Sequence, residues 1–136
     1  MWAGQMQTDT SQRGSRVIPL LVYAFTCLWA AFVLYGTLPP MPALPGPPRS
    51  DLIVHFAVFF VLVLPSATVL PRHAFAIALF ALTLGGAIEL IQPYVGRSRE
   101  FLDFMADSAG VLGGLCIGKM IRTAFGLRES TDTATG

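Results

Sequence analysis

Long apolar stretches alternate with short polar segments along this chain. No Asp, Glu, Lys or Arg occurs from Val17 to Pro48, and three further apolar stretches follow. A helix needs about 20 mostly apolar residues to cross a hydrocarbon core of about 30 Å. The pattern therefore predicts an all-α integral membrane bundle of four transmembrane helices, at about residues 17–38, 52–70, 74–92 and 103–121.

The segments outside these helices are polar or rich in proline. Residues 1–16 and 126–136 are expected to be disordered tails, because they cannot bury enough apolar surface to offset the entropy lost on ordering. The loop 39–50 contains six prolines, which stop a helix and favour an extended polyproline II conformation. A transmembrane domain over residues 17–125 is the predicted result.

Composition excludes several classes of protein. Of the 136 residues, 54% are hydrophobic and 12% are charged, far fewer charges than the surface of a water-soluble domain usually carries. The formal net charge of +1 gives no footprint for nucleic acid, so the expected partner is the lipid bilayer. Cys27 and Cys116 lie within apolar runs, and we interpret them as small core or lipid-facing residues rather than a disulfide or metal ligands.

The basic residues predict the orientation of the chain, because cytoplasmic loops carry an excess of Lys and Arg. Six of them fall on one side of the predicted bundle: Arg13, Arg16, Arg72, Lys119, Arg122 and Arg128. The other side has Arg49, Arg97 and Arg99. Both termini are therefore expected in the cytoplasm, and the apolar run after Arg16 is long enough to be a retained helix rather than a cleaved signal peptide.

Polar residues gather at the predicted outer ends of helices two to four. They are Asp51 and His55 in helix two, Glu89 and Gln92 in helix three, and Asp103 and Asp107 in helix four. Each pair is three or four residues apart, so both members lie on one helix face. Because lipid cannot satisfy ionised or amide groups, these faces should turn inward. With Arg97 from the following connection, the seven residues form a candidate polar site, and Arg99 and Glu100 lie just above it.

Each of these residues also has a structural interpretation. Asp51 is one turn from His55 and could be its partner, and Glu89 could form a buried ion pair with Arg97. Asp103 could cap helix four, where acids favour the N-terminal turn. These alternatives predict roles in holding the bundle together, with or without a function.

Asp107 lies a full turn inside helix four. Its carboxyl group is either protonated or close to a cation such as Arg97 or a metal ion, and Gln92 is expected to form a hydrogen bond between helices. No spacing typical of a metal motif is present, so we assign no metal ion, no cofactor and no catalytic residue.

Small residues mark the expected helix contacts. Gly110, Gly114 and Gly118 form a repeated small-xxx-small run on helix four, and Gly85 continues the polar face of helix three. Such glycines allow helix backbones to approach closely. The glycine face of helix four could pack within the bundle or against a second copy of the chain. Helix one has no comparable stripe and should lie at the periphery.

Three motifs resemble the VanZ-like family of small polytopic bacterial membrane proteins. Residues 50–56 (SDLIVHF) resemble its Asp-Lys-x-x-His-Phe opening of a helix, 89–92 (ELIQ) its Glu-x-x-Gln followed by Gly96 and Arg97, and 103–110 (DFMADSAG) its Asp-x-x-x-Asn-x-x-Gly. Leu52 stands where the family usually has lysine, and Asp107 where it usually has asparagine. Both departures make the site more acidic.

The resemblance implies a place in the bacterial cytoplasmic membrane and a link to the cell envelope. The namesake of the family is associated with resistance to the glycopeptide antibiotic teicoplanin, and glycopeptides act on cell-wall precursors outside this membrane. One hypothesis is that the chain binds or modifies an amphiphilic or lipid-linked molecule at the outer leaflet. Another is a structural or accessory membrane protein, and the absence of inverted repeats disfavours a transporter.

Overall fold

The computed structural model describes residues 3–39, 50–98 and 100–127, with the backbone alone for residues 3–16. Four long helices are present in these ranges: α1 (Ala3–Thr37), α2 (Ser50–Val69), α3 (Pro71–Ile91) and α4 (Phe101–Ala124), with a short 3₁₀ helix, Gln92–Val95, after α3. All four are long and apolar enough to cross a membrane. The prediction of an all-α bundle of four transmembrane helices is therefore confirmed, and the chain is a multi-pass membrane protein.

The first helix is longer than the sequence pattern predicts. It begins at Ala3, within the segment that we expected to be disordered, although its apolar part does begin at Val17. Once an apolar helix has formed, adding residues to its end costs little, because each new residue gains a hydrogen bond. Most of the predicted proline-rich loop (40–49) and most of the predicted C-terminal tail (128–136) lie outside the described residues.

Helices α2 and α3 are joined by a single residue, Leu70. Its backbone N–H donates to the Ser66 carbonyl at 2.8 Å, and Pro71 occupies the first turn of α3. Proline is well suited to that position because the first helical N–H groups have no partner within the helix. Such a short connection makes α2 and α3 antiparallel, so the start of α2 and the end of α3 lie at the same end of the bundle.

Among the described helices, α2 and α4 pack most closely. A Cβ atom added to Gly110 would collide with the Phe56 carbonyl oxygen, and one added to Gly114 would lie 2.8 Å from the Phe60 carbonyl oxygen. These are backbone atoms, which cannot move aside as a side chain can. The glycine face of α4 is thus covered by α2 of the same chain and is not free to pack against a second copy.

Helix α1 lies at the periphery and packs mainly against α2. The indole N–H of Trp29 donates to the Val58 carbonyl at 2.9 Å. Elsewhere the bundle presents large apolar side chains to its surroundings: Leu28, Tyr35 and Phe75 are each more than 70% exposed. Cys27 and Cys116 are exposed as well, which favours lipid contact over a core position. Such an apolar exterior suits a hydrocarbon solvent.

Candidate functional site

One end of the bundle contains most of the buried polar side chains that the structure describes. We call it the site end: α1 finishes there at Thr37, α2 starts at Ser50, α3 finishes at Ile91 and α4 starts at Phe101. Among the described residues, five of the seven buried polar side chains lie within this end: His55, Glu89, Gln92, Asp103 and Asp107. The up-and-down order of the helices therefore brings the three sequence motifs to one level.

We call these five buried side chains the cluster, and His55 lies at its centre. Its Nδ1 atom lies 2.9 Å from Asp107 Oδ1, and its Nε2 atom lies 3.5 Å from Asp103 Oδ2. The imidazole is 5% exposed and Asp107 is fully buried. A neutral imidazole carries one N–H and one acceptor nitrogen, so it can donate a hydrogen bond to only one of the two carboxylates. Satisfying both requires one further proton, either on the ring or on a carboxyl group. The cluster is thus able to hold a proton between α2 and α4.

The partner of His55 differs from the one that sequence spacing suggests. Asp51, one turn away on the same helix, makes no hydrogen bond with His55 in the described structure, and the ring turns to α4 instead. A carboxylate on a facing helix can meet the imidazole edge directly, whereas a neighbour on the same helix lies beside it on the surface. Asp107 likewise has His55, not Arg97, as its basic partner.

Asp103 does not cap α4. The residue before the helix is Glu100, and its own side chain makes no capping hydrogen bond. Asp103 lies in the first turn, where the helix dipole still favours its charge, but its carboxylate faces His55 across the interface. Asp103 also belongs to a second acidic group, because one oxygen each of Asp51, Glu100 and Asp103 lie within 4.8 Å of one another.

Glu89 joins the end of α3 to the start of α4. It is 4% exposed, and its Oε2 atom accepts a hydrogen bond of 3.0 Å from the backbone N–H of Glu100. The buried ion pair with Arg97 that the sequence allowed is not formed. A backbone N–H at a helix N-terminus has no partner within its own helix, so Glu89 accepts a hydrogen bond from a donor that would otherwise be unpaired.

Arg97 and Gln92 are both tied to α1. Arg97 Nη1 donates to the Thr37 carbonyl at 2.7 Å, and Gln92 Nε2 approaches the same oxygen at 3.5 Å, a long and weak hydrogen bond. Gly96, at φ +81°, allows the chain to turn back between them, since only glycine adopts this conformation readily. The two side chains thereby hold the last turn of α1 against the site end.

The Thr37 carbonyl is one part of the site that the sequence pattern does not predict. A backbone acceptor carries no residue-type signal, but one hint was available. The last carbonyls of any helix lack partners, and α1 is followed by prolines, which have no N–H to offer. A nearby guanidinium was therefore a reasonable donor to expect.

The cluster has more acceptors than donors. Four buried oxygens have no hydrogen-bond partner within the described part of the chain: Glu89 Oε1, Gln92 Oε1, Asp103 Oδ1 and Asp107 Oδ2. Buried polar atoms are nearly always paired, and each exception needs an explanation. Protons, a cation or a ligand that donates hydrogen bonds would each supply what is missing.

A groove between α3 and α4 runs beside the cluster. Its volume is about 440 Å³, and its lining is Thr83, Gly86, Ala87, Glu89, Leu90, Phe101 and Phe104. Leu90 and Phe101 are well exposed, so the groove opens sideways from the bundle. Among the described residues of this lining, Glu89 alone is ionisable. An apolar groove with one carboxyl group in its lining suits the binding of an amphiphile.

The fold and the site together define a class: a multi-pass membrane protein with a buried cluster of carboxyl groups around one histidine at one end of a four-helix bundle. Comparison with models of known families, with curated proteins and with solved structures finds no match to this chain.

Proposed function

We propose that this chain is a VanZ-like protein that binds or acts on an amphiphilic or lipid-linked molecule at the outer leaflet of the bacterial cytoplasmic membrane. In this proposal both termini are cytoplasmic and the site end faces outward. A role in the cell envelope or in glycopeptide resistance would follow from such a ligand.

The observation that carries the proposal is the meeting of the groove with unsatisfied acceptors. Glu89 lines the groove and keeps one buried oxygen without a donor. An acyl or prenyl chain would lie along the apolar lining, and a hydroxyl or ammonium group of the ligand would donate to Glu89. Pairing this acceptor would recover the free energy that its burial costs, about 1–3 kcal/mol for a neutral group.

Arg97 and His55 would take complementary parts. The described contacts of Arg97 use Nη1 alone, and a guanidinium carries five N–H donors in a fork suited to phosphate or carboxylate. His55, with Asp107 behind it, has the arrangement of a general acid–base group.

Mass spectrometry of the lipids that co-purify with the protein would test the proposal. Gly86→Leu should exclude a ligand from the groove, because the leucine side chain would fill the space in front of Phe104. Gly36→Leu on α1 is the matched control, since a Cβ atom there meets nothing within 4 Å. A specific amphiphile should be retained by the wild type and the control, and lost from Gly86→Leu and Glu89→Gln. Equal retention by all four proteins would refute the proposal.

Cysteine labelling with a membrane-impermeant reagent would test the orientation. In a background without Cys27 and Cys116, the exposed Ser98 and Phe125 offer positions at the two ends of the bundle. Cysteine at 98 should react in intact cells, and cysteine at 125 should react after permeabilisation. The reverse result would place the site at the cytoplasmic surface.

A structural or accessory role is the second candidate. It is favoured by the contacts already made: His55 ties α2 to α4, Glu89 ties α3 to α4, and Arg97 ties the connection to α1. In that case Glu89→Gln and Arg97→Ala should lower stability or the recovery of a partner without changing envelope lipids or teicoplanin sensitivity.

A further inference from the structure

A second group of acidic residues lies at the site end, and none of its members lines the groove. Asp51 comes from the first turn of α2, Asp103 from the first turn of α4, and Glu100 immediately precedes α4. One carboxylate oxygen of each lies within 4.8 Å of the other two. Three carboxylates at this separation repel one another unless a positive charge lies between them.

Asp103 gives an independent sign that something is missing here. Its side chain is 5% exposed, and Oδ2 is the oxygen that faces His55. The other oxygen, Oδ1, is buried and has no hydrogen-bond partner in the described structure. A buried carboxylate oxygen without a partner lacks a donor or a metal ion, and neither Asp51 nor Glu100 offers a donor when ionised.

From this geometry we propose that Asp51, Glu100 and Asp103 bind a divalent cation of the size of Ca²⁺. Oxygen ligands lie about 2.3–2.6 Å from Ca²⁺, so two ligands of one ion are at most about 5 Å apart. The observed separations, all within 4.8 Å, fit that limit. Ca²⁺ accepts irregular sets of carboxylate ligands, whereas Mg²⁺ demands a near-ideal octahedron and usually keeps several waters. Carboxylate oxygens are the ligands that such hard cations prefer.

Burial assigns different parts to the three ligands. Asp103 is buried, Asp51 is half-buried and Glu100 is exposed, so the ion would enter from the surface and keep water on its outer side. Asp103 would bind it through Oδ1 while Oδ2 stays on His55. The cation would thus also pin the starts of α2 and α4 together, whether or not an amphiphile occupies the groove.

Calorimetric titration of the full-length protein in detergent, first with CaCl₂ and then with MgCl₂, tests this proposal. We expect saturable binding of one Ca²⁺ per chain and weaker binding of Mg²⁺. Asp51→Asn and Glu100→Gln should each weaken Ca²⁺ binding by at least the roughly 10- to 100-fold loss that changes around a metal site cause. Glu100 is exposed, so its variant should fold normally.

Asp9→Asn is the matched control. It removes the same charge near the start of α1, the end of that helix opposite Thr37, and should bind Ca²⁺ like the wild type. No saturable binding by the wild type, or unchanged affinity in both site variants, would overturn the proposal. An equal loss in Asp9→Asn would overturn it too, because it would show a general effect of net charge. Tighter binding of Mg²⁺ than of Ca²⁺ would contradict the assigned ion size.

Discussion

The interface between α2 and α4 has two halves with opposite character. Away from the site end it is a close contact in which Gly114 and Gly118 lie against Phe60, Leu64 and Ala67 of α2. At the site end, the same two helices enclose an imidazole between two carboxyl groups, with acceptor oxygens left unpaired. Within the described residues, one pair of helices therefore carries both the closest packing and several unsatisfied acceptors.

The difference shows which half stability alone can explain. Close glycine packing brings helix backbones into contact and leaves no polar group unsatisfied, which suits a bundle held together in lipid. A cluster of buried acids costs free energy, and an apolar replacement would often be neutral or stabilising. Local rules of this kind are broken mainly at functional sites. Assembly in lipid therefore explains the glycine half, whereas stability alone does not explain the acidic half.

His55→Leu should have the largest effect on the comparison. It removes the partner of Asp103 and Asp107 and leaves both carboxyl groups buried without a base. Breaking one side of a buried pair costs about 3–5 kcal/mol, so the free energy of unfolding in mixed micelles should fall by about that amount. A loss below about 1 kcal/mol, within the range of exposed ion pairs, would mean that the cluster contributes no more than surface charges do.

Gly110→Ala tests the glycine half at its junction with the polar half. The added methyl group would collide with the Phe56 carbonyl oxygen and lie 3.0 Å from the Phe60 nitrogen, so α2 and α4 must separate. Overpacking of this kind costs about 1–3 kcal/mol.

Gly113→Ala on the same helix is the comparison variant. Its methyl group would meet the side chains of Phe60 and Phe56, at 3.3 and 3.4 Å, and aromatic rings can shift slightly. We expect a smaller loss in thermal unfolding than for Gly110→Ala. Equal losses would show that rigid backbone contact is not what makes the glycine face selective.

Asp107→Asn should change the free energy of unfolding less than His55→Leu or Gly110→Ala does. The amide oxygen can still accept a hydrogen bond from His55, and the VanZ-like motif that residues 103–110 resemble has asparagine at this place. Removing one of the crowded acids offsets the weaker hydrogen bond, so the free energy of unfolding should change by no more than about 1 kcal/mol, the net value of one hydrogen bond. Combining this variant with His55→Leu in a double-mutant cycle would measure the coupling of the pair, and a coupling near zero would contradict the observed geometry.

Phe75→Leu should have the smallest effect. The ring is 75% exposed on the outer face of α3, where we expect lipid contact in either variant. Substitutions at such positions are usually within about 0.5 kcal/mol. A large loss in the same unfolding assay would reveal a protein contact on that face and would remove it from the lipid-facing surface.

Sequence alone determined the membrane class, the four spans and the polar helix faces. Apolar length and the spacing of polar residues are local properties, and a hydrocarbon solvent leaves few alternatives to a helix with its polar face turned inward. The glycine run of α4 is local in the same sense, because close helix approach requires small residues every fourth position.

Only the tertiary structure decided the partners. His55 faces Asp107 and not Asp51, Glu89 accepts a backbone N–H and not the Arg97 guanidinium, and Arg97 reaches the Thr37 carbonyl. These choices depend on how far each helix is rotated and shifted against its neighbours, which no spacing within one helix encodes. The start of α1 at Ala3 likewise depends on continuation of a helix that the apolar span nucleates. Pairing across helices is a property of the assembled bundle. The sequence pattern identifies the polar residues that can pair, but not which of them do.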